Sequence, residues 1–188
     1  NIKYKHFHTF MSKLALQKIV AKIRYFDYIN AIDMRKSIEI DYEEYSSIDE
    51  LSNENRELLV QAMAAADGAY SPYSQFKVGA AVKLMDGKTV TGNNQENIAY
   101  PSGLCAERVA MFAAMAQNPN TGISAIAIVG KNKDGQWCPA SPCGACRQVM
   151  GEYERLGKKK ITIILYADNG KIIILKGVDS ILPFQFSM

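Results

Sequence analysis

Two short segments, Cys105-Ala106-Glu107 and Pro142-Cys143-Gly144-Ala145-Cys146, constrain this chain more than anything else in it. Each opens a run with helical character. Cys105 to Gln117 is rich in Ala and Met and is stopped by Asn118-Pro119, and Cys143 to Leu156 ends at Gly157. Each run also follows a strand or a loop. If the cysteines share a task, the fold must bring two helix N-termini together, and the edge of a sheet covered by helices is where polar groups can converge in this way.

The rest of the chain supplies such a sheet. Ser52 precedes a helical pattern through Leu58, Leu59, Met63 and Ala66, with Glu54 and Glu57 near its start, as suits a capped helix. Five β runs are predicted: 76–84, 89–94, 123–129, 161–166 and 172–175. Asp86-Gly87 between the first two is a strong hairpin signal. Ile123 to Val129 is continuously apolar, which predicts a central, buried strand. Residues 70–74, 99–103 and 131–142 read as loops. The order α, β-hairpin, α, β, α, β, β predicts a layered α/β domain built on one mixed five-stranded sheet.

At 188 residues, with 48% hydrophobic and 22% charged residues, the chain has room for one domain with a real core plus an extension. The division expected is 1–50 as extension and connector and 51–188 as the catalytic domain. Residues 12–32 carry Leu16, Ile19, Val20 and Ile23 at helical spacing among Lys13, Lys18 and Lys22, an amphipathic pattern. This segment suits an accessory helix, an oligomer arm or sequence upstream of the natural product, with Met34 a candidate start; a membrane-surface or nucleic-acid arm is the sharper alternative. Residues 37–49 read as a polar, acidic connector.

Six basic residues lie within 1–33 (Lys3, Lys5, Lys13, Lys18, Lys22, Arg24) against Asp27 and Asp33, so this segment carries +4 of a whole-chain net charge of +3 and the rest carries −1. The remainder is slightly acidic and carries no nucleic-acid footprint. No apolar run approaches the roughly 18 residues of a membrane span. The N-terminus lacks a signal-peptide pattern, which predicts a cytoplasmic protein without membrane partners.

Four cysteines in a chain large enough to fold without staples point to metal binding or catalysis rather than a disulfide frame. Cys143-x-x-Cys146 places two thiols one helical turn apart, and Cys105 opens the other helix. Three protein ligands leave a fourth zinc position for water, the catalytic arrangement, and thiolates are soft ligands that suit zinc. Glu107, two residues after Cys105, can lie over that position as a proton shuttle without ligating. Other readings stay open on spacing alone. Cys-x-x-Cys could be a redox pair, Cys138 could complete a closed four-cysteine site, or all four could be buried small hydrophobes.

The order Cys-Ala-Glu, then Pro-Cys-x-x-Cys, matches the signature of zinc deaminases. Three further blocks extend the match: Tyr73-Ser74-x-Phe76-x-Val78-Gly79-Ala80-Ala81, Gly92-x-Asn94-x-Glu96-Asn97 and Leu182-Pro183. On these the chain, from about Glu54 to Phe186, resembles the cytidine deaminase family of the compact three-cysteine type. The resemblance implies a three-layer α/β/α sandwich and zinc held by Cys105, Cys143 and Cys146. It implies Glu107 as the proton shuttle in hydrolytic loss of the C4 amine from cytidine and deoxycytidine, giving uridine or deoxyuridine and ammonia, a step of pyrimidine salvage. It assigns Asn94 and Glu96 to the ribose hydroxyls, Phe76 to the pyrimidine face and the Ala106 backbone to the amino group. Arg108 would donate to the thiolates and offset their charge. The resemblance also implies a homotetramer whose sites are completed across subunits by a C-terminal aromatic. Phe186 falls at the family's position, while Phe184 departs from the small residue usual there.

Three other functions fit parts of the pattern. Blasticidin-type antibiotic deaminases share the cysteine and glutamate core, but Asn94-x-Glu96-Asn97 favours cytidine. Polynucleotide editors usually carry His in place of Cys105 and have a basic groove, which is missing here. A zinc-stabilised binding module would have no use for Glu107.

Overall fold

A computed structural model describes residues 36–187, together with Lys18, Ala21 and Lys22. The chain divides into two units, Asn1–Glu39 and Ile40–Met188. In the first, Lys18, Ala21 and Lys22 are helical and exposed. The remainder of the 12–32 helix expected from the sequence lies outside the described residues, as does Met34.

The second unit holds seven strands: β1 (Tyr42–Tyr45), β2 (Lys77–Leu84), β3 (Thr89–Asn93), β4 (Ile123–Lys131), β5 (Trp137–Cys138), β6 (Thr162–Tyr166) and β7 (Ile172–Lys176). Three helices, α1 (Asn53–Asp67), α2 (Ala106–Gln117) and α3 (Gly144–Gly157), cover the sheet. The strand order is β1-β7-β6-β4-β2-β3, with β5 added on β4. Only β4 and β6 are parallel neighbours; the other pairs are antiparallel. The apolar run of β4 is central, as its composition predicts, with β2 on one side and β6 on the other.

The two faces of the sheet carry separate cores. Ala80, Val82 and Leu84 alternate with Ala81 along β2. The first three meet Ala106, Ala110, Met111 and Ala114 of α2 and Met150 of α3. Ala81, Ala127 and Ile164 meet Leu58, Leu59 and Ala62 of α1 on the opposite face. This is the three-layer α/β/α sandwich. Ser52 starts α1 by accepting a hydrogen bond from Asn55 N at 3.3 Å.

Two glycines let helices lie directly on the sheet. A Cβ on Gly92 of β3 would stand 2.5 Å from Ala110 N and 2.9 Å from Ala106 O of α2. A Cβ on Gly79 of β2 would stand 1.9 Å from Ala62 O of α1. Neither neighbour is a side chain that could rotate away.

The sheet has seven strands among the described residues rather than the five expected. Residues 37–49 are not only a connector: β1 pairs with β7 from Tyr42↔Leu175 to Tyr45↔Ile172. Tyr-Glu-Glu-Tyr shows no apolar alternation because three of its four residues are exposed. Tertiary pairing with an edge, not a buried face, makes it a strand, and Lys171 adds an ion pair to Glu44 at 2.6 Å. Likewise β5, inside the expected 131–142 loop, is two residues long, too short for any period to register. It is held by Gly130 and Lys131, whose ammonium sits 4.8 Å from the Trp137 ring centroid.

The topology decides where the helices begin. β3 and β4 both run antiparallel to β2, so they are parallel to each other, and α2 connects them. α3 connects the parallel pair β4 and β6. Both crossovers pack on one face, so both N-termini emerge at the same strand ends. Cys105 and Cys143 occupy those two starting points.

Candidate active site

Cys105 and Cys143 stand as the N-caps of α2 and α3, in extended conformation and without a side-chain capping bond. Their sulfurs are thus free to turn toward each other, beside helix ends whose N–H groups favour negative charge. Cys146 lies one turn into α3 and is fully buried. Cys105 Sγ lies 3.8 Å from Cys143 Sγ, and Cys143 Sγ 3.5 Å from Cys146 Sγ. All three sulfurs fall within 4.8 Å of one another. Tetrahedral zinc with Zn–S bonds of about 2.3 Å separates its sulfurs by about 3.8 Å, so the spacing fits that ion. Cys138, in β5, is not part of the cluster; burial pushes its thiol up.

The charges around the cluster ask for a cation. The Cys105 thiol is held down to about 5, first by its hydrogen bond with Cys146 and then by the Arg108 guanidinium. Cys146 moves the other way, since a thiolate there would sit against that of Cys105 in a buried place. Cys105 and Cys146 thus do not both hold a thiolate readily without a positive charge beside them. Arg108 Nη2 lies 3.8 Å from Cys105 Sγ, and its Nε is buried with no partner among the described residues. Glu107 is the single charged residue in the buried core among the described residues, at 3% exposure. Burial, and after it the Cys105 charge, pushes its carboxyl up. A carboxyl so placed can hold a proton and give it back.

Glu107, Cys105 and Cys143 line a cavity of about 720 Å³. Phe76, Asn94 and Glu96 line the same cavity, so the structure brings these expected substrate residues to the sulfur cluster. Gly130 makes room for the aromatic ring: a Cβ there would stand 2.8 Å from Phe76 Cζ and 3.0 Å from Cys138 O. Ala106 is fully buried as the first residue of α2 and does not line the cavity. Phe186 is not brought to this pocket at all. It lies 74% exposed beside α3, where Gln148 Nε2 donates to its carbonyl at 2.8 Å and Gln148 Oε1 accepts from its N–H at 3.2 Å.

The structure gives Asn94 and Glu96 a second task that their motif did not reveal. Asn94 Oδ1 accepts from Val78 N at 2.7 Å, and its Nδ2 donates to Phe76 O at 2.9 Å. Glu96 Oε2 accepts from Tyr73 N at 2.9 Å and Ser74 N at 3.2 Å. Two further arginine bonds also escaped the sequence reading. Arg147 donates to Pro142 O and to Ile181 O, each at 2.8 Å, and so ties the Cys143 loop to the C-terminal segment. Its position beside Cys146 was the only available signal, since its partners are backbone carbonyls distant in sequence. Tyr73 and Tyr100 also line the cavity and meet edge to face, with ring centroids 5.9 Å apart.

The sequence model of the family described as the cytidine and deoxycytidylate deaminase zinc-binding region matches residues 52–163, which include all three clustered cysteines. The chain belongs to this family. A cytidine deaminase of Halalkalibacterium halodurans is 46% identical over 99 residues, spanning 52% of this chain and 71% of that relative. A cytidine deaminase of Mycobacterium tuberculosis is 46% identical over 92 residues, spanning 49% of this chain and 65% of that relative. Among solved structures, the cytidine deaminase of Burkholderia pseudomallei superposes with a TM-score of 0.61 at 40% identity, over 72% of this chain and all of that one. The family is a zinc-binding one, and Cys105, Cys143 and Cys146 are the cluster in this member fitted to hold the ion.

Proposed function

We propose that the protein hydrolytically deaminates free cytidine and deoxycytidine, using zinc held by Cys105, Cys143 and Cys146. The observation that carries this reading is the lining of the cavity. It brings Cys105, Cys143 and Glu107 together with Phe76, Asn94 and Glu96, and among the described residues it contains no Lys, Arg or His. Among the described residues the lining offers a phosphate no lysine ammonium and no arginine fork. This pocket offers the Glu96 carboxylate instead, which repels phosphate and accepts from sugar hydroxyls. Within a family covering nucleoside and nucleotide deaminases, the chemistry favours the nucleoside.

The residues divide the work. Phe76 offers an aromatic face to the flat pyrimidine. Asn94 keeps one amide hydrogen and Glu96 one acceptor site for the sugar, beyond the bonds each makes to the protein. Zinc held by Cys105, Cys143 and Cys146 would supply the Lewis acidity that makes water a nucleophile near neutral pH. Glu107 would take one proton from the attacking water and pass it to the ring nitrogen, then take the second from the hydroxyl left on C4 and deliver it to the leaving amine. Arg108 draws charge from Cys105, which keeps three thiolates from quenching the ion's acidity.

The remaining parts of the reading are a homotetramer, a cytoplasmic place in pyrimidine salvage, and a catalytic domain spanning 51–188 preceded by a 1–50 extension whose Tyr42–Tyr45 joins the domain's sheet. The doubly bonded backbone of Phe186 favours it over Phe184 as the aromatic offered to a neighbour's pocket, since Gln148 holds that stretch of chain in place. No helix among the described residues is long and apolar enough to cross a membrane.

Ammonia release from cytidine, deoxycytidine, cytosine and deoxycytidine monophosphate, with zinc measured on the same sample, tests the activity. Turnover of the two nucleosides alone is the expected result, and no turnover by zinc-loaded protein would overturn the reading. Light scattering on the same sample should give four chains, and Phe186→Ala should lower activity more than Phe184→Ala.

A further inference from the structure

Phe76 and Glu96 reach the pocket from segments twenty residues apart, and one side chain touches both. The Ser74 hydroxyl donates to Glu96 Oε1 and accepts from Phe76 N at 3.0 Å. The Ser74 and Tyr73 amides hold the other carboxylate oxygen. Between Ser74 and Phe76, Gln75 takes a left-handed conformation, φ 56°, that a non-glycine residue adopts only when its surroundings fix it. Its N–H bonds Ser71 O at 3.0 Å, closing the turn.

We propose that Ser74 is a positioning residue that sets the separation and orientation of the Phe76 ring and the Glu96 carboxylate. The inference rests on the nucleoside reading above, because it makes Ser74 the gauge between a base-facing group and a sugar-facing one. A carboxylate offers about four acceptor sites. Ser74 and the two amides use three, so Ser74 also decides which site is left to a ligand. The hydroxyl bond is the chief reason that the Glu96 carboxyl is held below its usual range, which keeps this acceptor charged. The hydrogen bonds of Ser74 go to Glu96 and Phe76 and none reaches the sulfur cluster or Glu107, so its loss acts on binding and not on proton transfer.

The test is Ser74→Ala and Ser74→Thr in the full-length zinc-loaded protein. Ser74 is exposed, so both variants should fold. Removing the hydroxyl deletes two hydrogen bonds and should raise KM for cytidine roughly tenfold, with kcat within about threefold. Ser74→Thr keeps the hydroxyl and should restore KM to within about twofold. Hydrogen exchange of the 71–76 segment should lose protection in Ser74→Ala and retain it in Ser74→Thr. An unchanged KM, a fall in kcat at constant KM, or unchanged protection in Ser74→Ala would each overturn the proposal. Should the wild-type protein leave cytidine untouched, the nucleoside reading fails, and the exchange measurement still decides whether Ser74 orders the loop.

Discussion

Gly92→Ala is the most searching substitution, because a single methyl group would press on the helix that carries both Cys105 and Glu107. The new Cβ would lie 2.5 Å from Ala110 N, where ordinary contact starts at 3.4 Å, and 2.9 Å from Ala106 O. Both atoms are helix backbone, so α2 must retreat by about 1 Å rather than rotate a side chain away. Overpacking of this kind costs about 1–3 kcal/mol. At this chain length each kcal/mol lowers Tm by about 2–4 °C, so a drop of roughly 2–12 °C is expected. Activity should suffer more than stability. A misplacement of about 1 Å at a reacting centre costs on the order of 100-fold, and α2 sets the position of Glu107 relative to the α3 thiols. Gly79→Ala is the comparison: it strains the sheet against α1, which carries none of the sulfur cluster or Glu107, and should lower Tm with a smaller loss of kcat/KM. The assays are thermal unfolding, kcat/KM on cytidine and zinc content of the folded protein. Folded Gly92→Ala protein with kcat/KM within twofold of wild type would refute the argument that β3 sets the catalytic helix.

Three further outcomes follow from the site. Glu107→Gln should retain one zinc per chain and lose at least about 10²-fold in kcat, the usual scale of a proton shuttle; retained turnover would exclude it from that role. Arg108→Ala should weaken zinc retention about 10- to 100-fold in chelator competition, and unchanged retention and activity would show that its contact with Cys105 is incidental. The Glu96 carboxyl is held down by Ser74 and by the Tyr73 and Ser74 amides, so its contribution to the 71–76 loop is fully present above about pH 4.3 and lost as pH falls through its lower folded value. The Tyr73 and Ser74 amide resonances should therefore titrate together with a midpoint below about 4.3, and a midpoint at or above it would refute the carboxylate nest.

Much of this protein was legible in its sequence because its signals are local. Apolar runs, helical spacing and Gly, Pro and Asn stop signals located the five long strands and three helices among the described residues, since burial and turn geometry leave their marks within a few neighbouring residues. Cysteine spacing and Glu107 located the chemistry, since a metal ion selects few donor types in few patterns. What sequence could not supply were features whose cause lies elsewhere in the chain. Tyr42–Tyr45 is a strand only because β7 presents an edge to it. Arg147 finds its purpose in two backbone carbonyls that the fold carries to it. Asn94 and Glu96 read as ligand contacts, yet both also hold the 73–78 backbone, because backbone groups left free at a pocket wall need partners. The sequence by itself determined which atoms could take part: three soft sulfurs, one carboxylate, one guanidinium. The tertiary structure alone decided that two parallel crossovers start side by side, because only there do residues distant along the chain close to within the span of one ion.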